Sequence, residues 1–170
     1  EQRAKQLQST LDSKVAAQPA RRPDIDFIFL AASPQQARII KPTLSFQYAG
    51  DVPIYATSAI NPGTGEVYPE LDGLQFSEIP WFLETNNPIR QHITYQWPQA
   101  LGSLGRFYAM GADAYQLASQ LQQLRALPNS RSAGLTGNLQ LNAQQRIERL
   151  LYWAQFNNGQ LESLKETQID

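Results

Sequence analysis

The sequence predicts an α/β fold assembled from parallel-sheet βαβ units and closed by a C-terminal β-hairpin. Residues 24–59 give the first sign of it. An apolar run from Ile25 to Ala32 stops at Ser33-Pro34, a helical pattern extends to about Tyr48, and Gly50-Asp51 breaks it before a second apolar run from Val52 to about Thr57. Strands joined by a crossover helix lie parallel, and such sheets are covered on both faces. A third strand-like segment from Gly73 to Ile79 and the Asn158-Gly159 pair between alternating side chains complete the case.

Ahead of the βαβ unit, Ala4, Leu7, Leu11 and Val15 recur at helical spacing, so a helix is expected over Gln2–Ala17. Gln18 to Pro23 breaks that helix and leads into the first strand. Asp24 and Asp26 flank Ile25 and are read as exposed polar positions, because the amino end of a parallel strand points away from the usual ligand site. Ser33 is the expected N-cap, with Pro34 at the first helical position where its missing N–H costs nothing. Ala37, Ile40, Leu44 and Tyr48 form the buried stripe of this helix, and Pro42 predicts a kink or a break, since it removes a backbone bond.

Residues 60–72 contain Pro62, Gly63, Gly65 and Pro69 and read as a loop; residues 84–96 read as polar and irregular. The longest helix is expected from Pro98 to about Leu127, with Leu101, Leu104, Tyr108, Tyr115, Ala118, Leu121 and Leu124 on its apolar face. Gly102, Gly105 and Gly111 each cost that helix about 1 kcal/mol relative to alanine, which predicts close packing at those points. Asn138–Leu141 is a short strand, and the alternation from Leu150 to Phe156 reads as one more, with Trp153 in the core. Asn158-Gly159 then turns the chain back through Gln160 to Leu164, and the tail after Lys165 is expected to fray.

Composition narrows the function. The formal charge is −1, and no basic patch extends beyond Arg21-Arg22, so neither a nucleic-acid partner nor a polybasic membrane patch is expected. The chain has no cysteine, which removes disulfides, thiolate metal sites and cysteine nucleophiles together. No segment approaches the apolar length of a membrane-spanning helix. Met110 is the only methionine, so the chain is expected to be a processed product or an excised piece of a longer protein.

The case for an enzyme is poor. His92 is the single histidine and falls in a polar segment, which excludes a multi-histidine metal site. There is no G-x-S-x-G elbow, no G-x-G-x-x-G and no phosphate loop; Gly63-Thr64-Gly65 is followed by no lysine. Glu66, Glu70, Asp72, Glu78 and Glu84 crowd one loop-strand region and are read as solvated charge. No cofactor and no catalytic or metal-binding residue is expected. The remaining candidates lie at the strand ends, where open parallel sheets bind ligands. Ser33, Thr57 and Ser58 fall there, with Trp81 beside them as a cleft residue or a plug at a hinge.

Four stretches have a more specific likeness: DIDFIFLAASPQQARIIKPTLSFQYAGDVPIYATS, LDGLQFSEIPWFL, RFYAMGADAYQLA and GLTGNLQLNAQQRIERLLYWAQFNNGQL. In this order they resemble the C-terminal domain of the LppC/LpoA family, outer-membrane lipoproteins of Gram-negative bacteria that activate penicillin-binding proteins. The resemblance implies a type I periplasmic-binding-protein-like fold, with two α/β lobes around a cleft, of which this chain is the later half. Residues 1–80 would lie mostly in the second lobe, 84–130 would return to the first, and 131–170 would supply closing strands and the hairpin.

The same resemblance implies a non-catalytic periplasmic regulator that binds and activates a class A penicillin-binding protein from the outer-membrane side, with peptidoglycan as a second candidate partner. Membrane contact is then expected only through an N-terminal lipid anchor outside these 170 residues. The alternative is a solute-binding module that holds a small polar ligand between the lobes, with Ser33, Thr57, Ser58 and Trp81 on the cleft rim. Strand edges left unpaired in the first-lobe portion predict self-association or disorder there.

Overall fold

The βαβ unit at 24–59 forms as the sequence predicts, and a computed structural model describes it together with Thr10, residues 24–127 and residues 129–164, with the backbone alone at Tyr48. Apart from Thr10, the expected helix over Gln2–Ala17 lies outside the described residues, as do the Arg21-Arg22 pair and the tail after Lys165. Strand β1 (Ile28–Leu30) is shorter than its apolar run, because Ile25 and Phe27 stay exposed before it. Helix α1 (Pro34–Leu44) starts on a complete capping box: the Gln36 N–H donates to the Ser33 hydroxyl at 3.3 Å, and the Ser33 N–H donates to Gln36 Oε1 at 2.9 Å. Pro42 neither ends nor splits this helix. The chain continues through it and widens into a π-turn at Ser45–Ala49, while the Thr43 hydroxyl donates to the Ile39 carbonyl at 2.7 Å.

Strand β2 (Ile54–Ala56) pairs parallel with β1, placing Leu30 opposite Ala56, and β3 (Gln75–Glu78) pairs parallel with β2, placing Ala56 opposite Phe76. Strands β7 (Tyr152–Asn157) and β8 (Gln160–Ser163) extend the sheet antiparallel, so among the described residues its order is β1-β2-β3-β7-β8. Asn158 and Gly159 both have positive φ, 50° and 72°, as a type I′ turn requires. The turn is anchored sideways, since the Gly159 N–H donates to Asp72 Oδ1 at 2.6 Å and its carbonyl accepts from the Tyr68 N–H at 2.9 Å.

One face of this main sheet is closed. Leu30, Ile54, Ala56, Phe76, Ala154 and Phe156 meet Ala37 of α1 and Ile60, Tyr68, Leu71 and Leu74 of the long β2–β3 connection. The 60–72 segment is thus a packed connection containing a 3-10 turn at Pro69–Leu71, not a loose loop. The opposite face carries Phe27, Tyr55 and Trp153 edge-on to one another, at ring separations of 6.0 and 5.8 Å. Trp153 is 47% exposed there, which corrects its expected core position: alternation put it opposite Ala154 and Phe156, and those two face the core.

A second core lies beyond β3, around Ile79, Trp81, Ala100, Ala109 and Leu135. Short helix α2 (Pro80–Leu83), helices α3 (Pro88–Gln96) and α4 (Gly105–Ala126), and an antiparallel sheet ordered β4 (Arg131–Gly134), β5 (Gly137–Leu141), β6 (Ile147–Leu150) surround it. Helix α3 contradicts the irregular reading of 84–96. Asn87 caps it by accepting from the Ile89 and Arg90 N–H groups, and Pro88 occupies its first position.

Helix α4 begins at Gly105, later than expected, after a 3-10 turn at Pro98–Leu101. Its expected apolar face is corrected in part: Leu124 is buried as expected, but Tyr115 is 87% exposed, Leu101 and Leu104 are exposed, and Ala109 and Asp113 are buried instead. Close packing holds at Gly105, where a Cβ would stand 2.6 Å from Trp81 Nε1, and fails at Gly111, which has open space. Strand β4 (Arg131–Gly134) is a polar strand that the sequence reading missed. It pairs with β5 (Gly137–Leu141), and the expected single strand from Leu150 to Phe156 is two: β6 (Ile147–Leu150) stays in the small sheet, and at Leu151 the chain crosses to β7.

A buried acid fixes the β4–β5 turn. Asp113, 4% exposed, accepts from the Leu135 N–H (2.7 Å), the Thr136 N–H (2.7 Å) and the Thr136 hydroxyl (2.6 Å). A Cβ on Gly134 would fall 2.7 Å from Asp113 Oδ2, so this turn and helix α4 approach as closely as a glycine permits. Replacing Asp113 with alanine strands three donors in a buried turn, and a loss of about 3 kcal/mol is expected in urea denaturation.

Candidate functional site

The register sets the geometry at the carboxyl ends of the parallel strands. Leu30, Ala56 and Phe76 are level across β1, β2 and β3, so Ser33, Thr57, Ser58 and Glu78 all lie at the same end of the sheet. The Ser33 hydroxyl is engaged in its capping box. Thr57 is extended and leads into a 3-10 turn at Ser58–Ile60. The functional weight falls on a residue read as solvated from sequence: Glu78 is fully buried, 0% exposed.

Four donors surround the Glu78 carboxylate. Oε1 accepts from the Ile79 N–H and Arg106 Nη1, each at 2.7 Å; Oε2 accepts from Asn61 Nδ2 at 2.7 Å and Arg106 Nη2 at 2.9 Å. Arg106 Nη2 also donates to the Ser58 carbonyl at 3.0 Å, and the guanidinium lies 4.8 Å over the Phe82 ring. The fork-on-fork contact is the strong form of a charged pair. Arg106 enters from the first turn of α4, so the pair ties the main sheet to the second core. With four donors in place the carboxylate is fixed in one orientation, two of its bonds going to the Arg106 fork.

Trp81 lies one turn further, fully buried in α2. Its backbone N–H donates to the Leu135 carbonyl at 3.0 Å, and Arg90 stands 5.7 Å over its ring. Burial pulls the Arg90 guanidinium below its usual range. The structure therefore gathers Ser58 with Glu78, Asn61 and Arg106, places Ser33 and Thr57 at the same sheet end, and sets Trp81 in the wall behind. Glu78 was detectable in principle: it shares the phase of Phe76 in the alternating run Gln75–Glu78, the core phase. Nothing local marks Arg106.

The other acids disperse. Glu66 accepts from the Tyr68 hydroxyl at 2.6 Å, and burial followed by that bond raises the Tyr68 phenol above its ordinary range. Glu70 pairs with Arg38; bonding to its own backbone N–H, then Arg38, lowers its carboxyl below the usual range. Among the described residues no cluster of three histidine, cysteine or acidic side chains could hold a metal. His92 sits exposed on α3, on a helix and not in an irregular segment. An open groove of about 390 Å³ runs between α3 and α4 past Ile93, Trp97, Phe107, Tyr108, Gly111 and Ala112, with apolar walls.

Comparison with known proteins gives this geometry its family. The model of the family described as "LppC putative lipoprotein" matches residues 1–159. "Penicillin-binding protein activator LpoA" of Aliivibrio fischeri is 32% identical over 152 residues, covering 88% of this chain and 25% of that protein. The chain thus spans about a quarter of the length of the curated relatives it matches. Among solved structures, the LpoA (YraM) C-domain from Haemophilus influenzae, described as a regulator of PBP1A, aligns with TM-score 0.70 and 26% identity over 95% of this chain and 55% of its own. A structure from Chromobacterium violaceum described as a putative branched-chain amino acid ABC transporter aligns with TM-score 0.57 and 31% identity over 89% and 52%. With a family match over nearly its whole length and the binding-protein-like sheet beneath it, the chain belongs to the LppC lipoprotein family.

Proposed function

We propose that this chain is a non-catalytic part of a periplasmic regulator that binds a class A penicillin-binding protein and activates its cross-linking step. The observation that carries the reading is the family match along residues 1–159, joined to relatives named as penicillin-binding protein activators. The family's lipoprotein character supports attachment of the whole protein to the outer membrane through an N-terminal lipid, with peptidoglycan as a second candidate partner. A solute-binding module is the weaker reading, since the carboxylate at the strand ends already grips Arg106.

We read the chain as the later part of a two-lobed domain, with 1–80 mostly in the second lobe, 84–130 returning to the first, and 131–170 closing both. The two separate apolar cores support that division. Ser33, Thr57, Ser58 and Trp81 then belong to the inter-lobe region, Ser58 through its carbonyl and Trp81 as a wall.

A pull-down with a purified class A penicillin-binding protein, followed by a cross-linking assay, tests the functional reading with the complete two-lobed domain as the reference. Retention of the synthase and a rise in cross-linked product are expected; no binding by the two-lobed domain sinks the proposal. The exposed Phe29, Phe107 and Tyr115, with β1 at the edge of the main sheet among the described residues, predict that the isolated chain associates with a second copy. Light scattering at rising concentration is expected to show dimers or larger species. A monomeric profile with every segment protected from hydrogen exchange contradicts it.

A further inference from the structure

We infer that the crevice at the ends of β2 and β3 is an alkylguanidinium-binding site whose ligand is the protein's own Arg106. This goes beyond the regulatory reading and stands whichever synthase is bound. Each wall of the crevice matches a guanidinium. The Glu78 carboxylate accepts two parallel N–H bonds at 2.7 and 2.9 Å, the Ser58 carbonyl accepts a third at 3.0 Å, and the Phe82 ring lies 4.8 Å beneath the cation. A planar fork fits this arrangement, and a lysine ammonium, with one point of charge, does not.

The walls hold their positions through contacts that do not involve Arg106. Glu78 is oriented by Asn61 Nδ2 and the Ile79 N–H. Asn61 is itself fixed by the Gly63 N–H, which donates to its Oδ1 at 3.0 Å. Gly63 has φ +74°, and a Cβ there would fall 2.5 Å from Phe82 Cε1, so the loop seats the Phe82 ring directly. The crevice also occupies the sheet end where open parallel sheets take their ligands. Glu78 is closed off from solvent, whereas the Arg106 side chain keeps 33% exposure, so the site opens to solvent on the side from which Arg106 enters. A tethered occupant at high effective concentration keeps free solutes out.

Arg106→Ala removes the side chain beyond Cβ, and ethylguanidinium replaces the atoms lost. In thermal unfolding of the full 170-residue chain, ethylguanidinium chloride is expected to raise the Tm of Arg106→Ala saturably, by about 4 °C at ten times the half-saturating concentration. Tetramethylammonium chloride at equal concentration serves as the control for ionic strength. The wild type and the Arg106→Ala/Glu78→Gln double variant are expected to show no such difference between the two salts. In NMR spectra of Arg106→Ala, the Ile79 amide and the Asn61 side-chain amide are expected to shift on titration. Should Arg106→Ala be unfolded alone, recovery of its far-UV circular dichroism by ethylguanidinium is the expected result. An equal response in wild type and Arg106→Ala, or no response and no recovery in Arg106→Ala, overturns the inference.

Discussion

A carboxylate buried at the end of a β-strand is costly unless charge and hydrogen bonds meet it, and Glu78 is fully buried. Its cation comes from the first turn of α4, whose Ala109 lies in the second core, and its other donors come from Asn61 and the Ile79 backbone. The main sheet, the β2–β3 connection and α4 therefore converge on one side chain. Around that pair the packing is tight: Gly105, beside Arg106, has room for no Cβ against Trp81, and Gly63 has none against Phe82. The two apolar cores are joined here by a charged bond with aromatic walls, beside the contacts that Phe82 and Leu83 of α2 make to each core.

The same arrangement occupies the place where a binding-protein-like sheet takes a ligand. Parallel sheets leave a crevice at the strand ends, and a chain that fills it with its own arginine keeps the architecture while closing the place a solute would use. The apolar surfaces lie elsewhere, on the outer face of the main sheet around Tyr55 and Trp153 and along the α3–α4 groove. Surfaces of that kind suit contact with protein better than capture of a small polar molecule.

Local signals in the sequence were legible where the chain itself determines the outcome. Ser33-Pro34 starts a helix because the cap and the proline need no tertiary partner, and Asn158-Gly159 makes a hairpin because both residues tolerate positive φ. Asn87-Pro88 carries the same helix-start chemistry and was passed over because the residues after it are polar. What failed was the choice of face. Apolar residues are spread around α4, so periodicity alone could not separate the buried Ala109 and Leu124 from the exposed Leu104 and Tyr115. Trp153 and Ala154 alternate correctly, and only the packing of the β2–β3 connection on that sheet face decides which of them is inside. Glu78 shared a phase with Phe76, yet its role depends on Arg106, 28 residues away, which no local pattern announces.

Glu78 and Arg106 act as one coupled unit between the two cores. A double-mutant cycle with Glu78→Gln, Arg106→Met and the double variant, read by urea denaturation, measures that coupling directly. A favourable coupling energy of about 2 kcal/mol is predicted, with the double variant more stable than the sum of the two single losses. Strictly additive losses would contradict the account.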